Sequence, residues 1–188
     1  MLVNTFYENK VDQLRDVASR LHAALTAAEI RYQVIGGFAV FWYVDQIDPL
    51  AARLTRDVDV AIDRADLQRI GQAVMPIGMQ YRHVAGVNML VDAAAPKARS
   101  AIYLIFTQEK VRPEYIESVP RISDPARTAE GILIAPVADL VRMKLTSFRL
   151  KDQVHIQDMD SVGLITPEIE ASLSEVLRER LKTVRASE

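Results

Sequence analysis

Asp57 and Asp59 stand two residues apart in the stretch TRDVDVAID, residues 55 to 63. Successive side chains of a strand point to opposite faces, so Val58, Val60 and Ile62 share one side and the two carboxylates share the other with Ala61. Two carboxylates held that close are costly unless a cation or hydrogen bonds offset their charge. Mg²⁺ suits the pair, because it takes hard oxygen ligands and is commonly held by one or two carboxylates together with substrate phosphates. Two solvated acids at an exposed strand end are the simpler account of an isolated Asp-x-Asp. A second feature upstream narrows the choice. In RYQVIGGFAVFWYV, residues 31 to 44, a β-prone run ends at Gly36 and Gly37 and gives way to an apolar run long enough for two helical turns. Backbone N–H groups at such a turn and at a helix N-terminus favour phosphate, and paired acids nearby hold the metal that bridges it.

These residues need a scaffold, and the periodicities supply one. Val11, Leu14, Val17, Ala18, Leu21 and Leu25 recur at helical spacing within residues 10 to 29. A strand over 31 to 35, the glycine turn, a helix and a second strand over 57 to 62 follow, and then a helix from about 64 with Asp63 as its expected N-cap. Three β-rich runs, MQYRHV, GVNMLV and AIYLIFT, are separated by glycine and by a loop over 92 to 100. Residues 113 to 130 read as loop, with one further edge strand near 120 to 123. Helices are expected over 137 to 149, with Pro136 in the first turn, and over 151 to 162 and 167 to 185. The fold class is α+β: a mixed β-sheet with helices packed on one face, followed by C-terminal helices. Residues 1–135 form the expected core and 136–188 a helical segment packed on it.

Composition limits the function classes. The chain has 188 residues, 49% hydrophobic and 26% charged, with a net charge of −2 and no cysteine. No global basic field advertises nucleic acid, and disulfide, thiolate and zinc-thiolate chemistry are excluded. The first residues mix Asn, Glu and Lys and do not read as a signal peptide, and no apolar run approaches the roughly 20 residues that span a bilayer. The expected location is cytoplasmic, without a membrane partner. Trp42 reads as part of a buried helix. His155, three residues from both Asp152 and Asp158, reads as a member of a charged helix rather than a metal ligand. RERLKTVR at 178 to 185 reads as a solvated terminal helix.

Taken in order, these motifs resemble the nucleotidyltransferase superfamily related to DNA polymerase beta, whose signature is a Gly-Gly or Gly-Ser turn followed by Asp-x-Asp. More narrowly the chain resembles the AbiEii-type branch associated with toxin and antitoxin systems. RLTRDVD supplies that branch's Arg53, Thr55, Asp57 and Asp59, and MKLTSFRLKDQVHIQDM supplies Lys144, Arg149, Lys151 and Asp152, with Asp158 beyond. The resemblance implies Mg²⁺-dependent transfer of a nucleoside monophosphate from a nucleoside triphosphate to a hydroxyl of a protein, RNA or small molecule. It assigns Asp57, Asp59 and Lys144 to catalysis, and Gly36, Gly37, Arg53, Thr55, Arg149 and Lys151 to nucleotide binding. A cognate toxin or antitoxin partner is also implied. Members of the superfamily carry a third carboxylate on a later strand, where this chain has Tyr103 in AIYLIF. Asp92 is the candidate third metal ligand and Glu109 the next. A second reading keeps the fold without turnover, as a binding module with an incomplete acid triad.

Overall fold

The structure, a computed structural model, describes the backbone of residues 2–94 and 101–187 and the side chains from residue 11 onward. Most of the loop expected over 92 to 100 lies outside the described residues. The strands are β1 (Tyr32–Ile35), β2 (Val58–Ile62), β3 (Met79–Val84), β4 (Val87–Asp92), β5 (Ile102–Phe106), β6 (Ala126–Arg127) and β7 (Leu133–Ile134). They form one mixed sheet in the spatial order β3-β4-β5-β2-β1-β7-β6. β2 lies near its centre, antiparallel to β1 and parallel to β5.

The alternation read from the sequence sets the two faces. Val58, Val60 and Ile62 line up with Ile102, Leu104 and Phe106 of β5, and all six are buried. Tyr32, opposite Ile62, faces the same way and its hydroxyl lies 2.8 Å from His22 Nδ1 of helix α1 (Leu2–Ala27). Leu21 and Leu25 of α1 are fully buried in this core, as is Ile70 of α3 (Leu67–Ala73). Each such side chain contributes about 2 kcal/mol by leaving water, so packing more than propensity holds α1 in place. α1 begins earlier than the periodicity predicts. Asp63 forms no N-cap bond; its carboxylate accepts from Arg31 Nη2 at 3.0 Å and from the Thr107 hydroxyl.

On the opposite face lie Asp59, Tyr103 and Ile105, all half-buried. Helix α2 (Gly36–Asp45) leaves β1 directly at the glycines, as expected, and packs against α4 (Val137–Ser147) and α5 (Leu150–Ser161). The edge strand falls at 126 to 127 rather than 120 to 123, because Ala126–Arg127 turns back through residues 128 to 131 to pair with β7. The Ser123 carbonyl instead accepts from the buried Gln33 amide. The helix expected over 167 to 185 is two, α6 (Pro167–Ser172) and α7 (Glu175–Arg185). Leu173 is extended and buried between them, and Ser174, a residue that favours the non-helical cap position, starts the second. Among the described residues, no helix is long and apolar enough to cross a membrane.

Candidate active site

The glycine pair is there because two side chains occupy the space a Cβ would need. Gly36 has φ +73°, in the left-handed region, and a Cβ on it would fall 2.9 Å from Asp59 Cβ, with the carboxylate closer still. A Cβ on Gly37 would fall 2.7 Å from Thr55 Oγ1 and 3.5 Å from His155 Cε1. The turn is thus clamped between Asp59 of β2, Thr55 before it and His155 of α5. The first N–H groups of α2 start at this turn, immediately beside the acids.

The α4–α5 junction supplies the cations. Phe148 ends α4 in the left-handed conformation, φ 51°, and Arg180 of α7 donates to the Leu145 and Thr146 carbonyls at 2.7 and 2.8 Å while its guanidinium lies over the Phe148 ring. This satisfies the end of α4, so α7 is no purely solvated helix; Arg185 likewise pairs with Asp160 and Glu170. Asp152 is the hub of the junction. It is fully buried and accepts from Lys144 Nζ at 3.2 Å, Ser147 Oγ at 2.8 Å, and Arg149 N and Nε at 3.3 and 2.6 Å. Burial alone would raise its carboxyl, but the Arg149 hydrogen bond, the Lys144 charge and Ser147 prevail and hold it down at about 2. Burial lowers the Lys144 ammonium, while the charges of Asp152 and Asp59 work against that fall. For Asp59, burial raises the carboxyl, Lys144 opposes the rise and Asp57 adds to it. A half-buried carboxylate beside a second carboxylate, with the Lys144 ammonium nearby, is a donor set that a divalent cation satisfies.

These groups border one cleft of about 680 Å³ on the sheet's second face. Asp59, Tyr103 and Ile105 form its floor, and Gly36 and Asp57 also line it. Met143, Lys144 and Ser147 of α4, with Arg149 and Lys151, make one wall. The facing wall is the segment from Glu109 to Val119 with the β3–β4 turn, Ala85 to Asn88. Here Arg64 lies 3.7 Å over the Phe106 ring and pairs with Glu109.

Seven of the residues anticipated from sequence border this cleft: Gly36, Asp57, Asp59, Lys144, Arg149, Lys151 and Glu109. Gly37 lies against the clamp just described. Arg53 and Thr55 act from behind: Arg53 Nε donates to the buried Asp158 at 2.8 Å, tying the segment before β2 to α5, and Thr55 fills the space over Gly37. Asp92 is not brought to the pair. β4 places Met89 opposite Tyr103 and Leu90 opposite Ile102, so alternation puts Asp92 on the Leu90 side, away from Asp59, where it is exposed and accepts from Ala94 N at 2.8 Å. Glu109 is committed to Arg64, whose hydrogen bond lowers its carboxyl. The residue beside Asp59 is Tyr103, in direct register on β5; burial and then the charges of Asp57 and Asp59 raise its phenol. His155 lies against the glycine turn, and both neighbouring acids are paired with cations, Asp158 with Arg53 and Asp152 with Lys144. The central role of Asp152 escaped the sequence reading, although its three-residue spacing from Arg149 is the pattern of a helical ion pair.

No protein-family model matches the chain, and no curated protein sequence matches it. Solved structures do. The antibiotic-resistance factor ANT(2'')-Ia in solution is 12% identical with a TM-score of 0.52, over 96% of this chain and 95% of that one. Its crystal structure in complex with adenylyl-2''-tobramycin is 11% identical with a TM-score of 0.52, over 87% and 94%. An antigenic nucleotidyltransferase-like protein from Paracoccidioides brasiliensis is 19% identical with a TM-score of 0.59, over 94% and 88%. At these identities the likeness is one of fold: the mixed sheet and its helices are those of the nucleotidyltransferase-like architecture.

Proposed function

We propose that the chain is a nucleotidyltransferase that moves a nucleoside monophosphate from a nucleoside triphosphate to a hydroxyl. The observation that carries this reading is the convergence of the Gly36 turn, the Asp57–Asp59 pair and the Lys144–Arg149–Lys151 wall on one cleft. The triphosphate lies along that wall, with its oxygens at the α2 N-terminus, where N–H groups and positive charge are both supplied. Asp152 holds Lys144 and Arg149 in place, and Arg53 and Thr55 keep the turn and β2 together.

Asp57 and Asp59 fit one divalent cation shared with the phosphates, and Mg²⁺ is the ion this oxygen-only set favours. Such an ion, when bound, supplies charge neutralisation along the triphosphate. The chain's own contribution is alignment of the α-phosphorus with the incoming hydroxyl and a partly buried floor. The AbiEii-type motif order supports a place in that branch, with a cognate toxin or antitoxin as partner. Protein, RNA and small molecules are the acceptor classes; Lys110, which lines the cleft, has no ion-pair partner among the described residues, which favours an acceptor without strong positive charge.

Thermal unfolding with and without ligand tests the reading. Each nucleoside triphosphate with Mg²⁺ is added in turn, and one of them raises the melting temperature, a ligand at one hundred times its Kd stabilising by about 2.7 kcal/mol. Changing Asp57 and Asp59 together to Asn removes the metal-dependent part of the rise. An unchanged rise in that variant places the site elsewhere. Tyr103 beside Asp59, where the superfamily resemblance leads one to expect a third carboxylate, favours a second reading, in which the cleft is a binding module that holds nucleotide without turnover.

A further inference from the structure

A second cavity, of about 310 Å³, shares no lining residue with the cleft. Phe38 and Trp42 of α2 and Gln46 at its C-cap, each four residues on from the last, form one side, because that spacing stacks them on one helix face. The turn between β6 and β7 supplies Arg127, Thr128 and Glu130, and Arg15 of α1 completes the charged part of the described lining. Phe38 and Ile132, both buried, make the inner surface apolar. Ligand pockets run from about 300 to 1,000 Å³, so this one suits a body of one or two fused rings.

The turn is held in place by the fold itself. Gly131, φ +86°, brings it so close to α1 that a Cβ there would fall 3.0 Å from His22 Nε2. Thr128 N donates to the Ile132 carbonyl at 3.0 Å, Gly131 N to the Thr128 carbonyl at 2.9 Å, and Thr128 Oγ1 accepts from Ile132 N at 3.3 Å. The charges around the cavity do not cancel. Glu130 is satisfied within its own turn: hydrogen bonds from the Thr128 hydroxyl and a backbone N–H, with a smaller contribution from the Arg15 charge, lower its carboxyl. Arg15 meets Asp45 only at 3.9 Å, and Arg127, exposed, forms no ion pair among the described residues. Two cations and one acid line the cavity, which leaves one positive charge in excess beside a half-buried indole.

We infer that this cavity is a second ligand site, for a planar aromatic carboxylate whose ring system lies against Trp42 and whose carboxylate is taken by Arg127 and Arg15. Ring on ring contributes beyond the area it buries, and a guanidinium matches a carboxylate with two parallel hydrogen bonds. A neutral ring leaves both guanidiniums to water, and a carboxylate without a ring leaves the indole to it. Neither half of the ligand is dispensable. The site stands whether or not the cleft binds nucleotide.

Trp42 is the chain's single tryptophan, so one indole N–H resonance of the ¹⁵N-labelled full chain reports on the cavity directly. The probes are 2-naphthoate, its neutral counterpart 2-naphthamide, and acetate. The expected result is a saturable shift of that resonance with 2-naphthoate, and affinity at least about tenfold weaker for the amide and for acetate, the order that loss of one charge-assisted hydrogen bond gives. Arg127→Ala should weaken 2-naphthoate binding about tenfold with the melting temperature nearly unchanged, since an exposed, unpaired charge stabilises little. The variant with both Asp57 and Asp59 changed to Asn should bind 2-naphthoate like the parent. No shift at millimolar 2-naphthoate, equal affinity for the amide, or undiminished binding by Arg127→Ala overturns the inference. Loss of binding in the double Asn variant places the carboxylate in the cleft and overturns it as well. The comparison of acid with amide on the parent chain keeps the test decisive even if Arg127→Ala is unstable.

Discussion

Gly36 and Asp59 share a space that admits only one side chain. A Cβ at 36 would fall 2.9 Å from Asp59 Cβ, and the backbone there has φ +73°. Gly36→Ala therefore meets both a left-handed backbone and an overlap with an acid fixed in the middle of β2. The expected loss is about 2–4 kcal/mol, since the dihedral alone costs about 1–2 kcal/mol and the strand cannot move aside. Chemical denaturation measures it. A variant as stable as the parent, with an undisturbed nucleotide response, contradicts the close approach.

Asp152 is expected to matter to stability more than any other acid near the cleft. Asp152→Asn takes from Lys144, 7% exposed, its hydrogen-bonded ion-pair partner, and loss of one partner of a buried pair costs about 3–5 kcal/mol. The acid limb follows from the same contacts. The carboxyl is held at about 2 in the folded chain, below its ordinary 3.8, so its contribution is complete above 3.8 and is lost as pH falls toward 2. That contribution is about 2 kcal/mol. Stability measured from pH 5 to pH 2 should fall less steeply in Asp152→Asn than in the parent.

His155 gives a second pH dependence in a different window. Burial, then the Lys144 charge, lower its imidazole to about 4. The folded chain keeps it neutral where the unfolded chain protonates it. Stability is therefore unaffected above pH 6.5 and declines as pH falls from 6.5 toward 4, by up to about 3 kcal/mol. His155→Gln should flatten the melting-temperature profile across that window. An identical slope in parent and variant would assign the acid sensitivity to other groups.

The strand, glycine turn, helix and acid strand were legible because each rests on a local rule: alternation for β2, backbone freedom for Gly36, 3.6-residue spacing for α1. Asp92 was misplaced because its face depends on the register between β4 and β5. That register is a long-range property, and slipping it by one residue would put Asp92 on the other side. The Asp152 hub was hidden for a similar reason. Its sequence neighbour Arg149 is visible in the pattern, but Lys144 joins it only because α4 ends in a left-handed Phe148 and the chain folds back. Tyr103 lies between these cases: its face follows from alternation in β5, and its pairing with Asp59 needed the sheet order.

Two arginine and lysine variants separate cations that meet ligand from cations that hold the frame. Lys151 borders the cleft, is exposed, and forms no ion pair among the described residues. Lys151→Ala should leave the unliganded melting temperature nearly unchanged, because an exposed charge without a partner stabilises little. It should weaken triphosphate binding about tenfold, the order expected when one charge-assisted hydrogen bond worth about 1.5–3 kcal/mol is replaced in part by water. Arg53 should behave in the opposite way. Its guanidinium reaches away from the cleft to Asp158, whose side chain is 8% exposed, and Arg53→Ala strands that carboxylate at a cost of about 1–3 kcal/mol. Titration calorimetry with a nucleoside triphosphate and Mg²⁺, paired with denaturant unfolding, distinguishes the two patterns. If Lys151→Ala binds as tightly as the parent while Arg53→Ala loses binding without losing stability, the nucleotide lies on the Arg53 side of β2 and the cleft assigned to it is the wrong one.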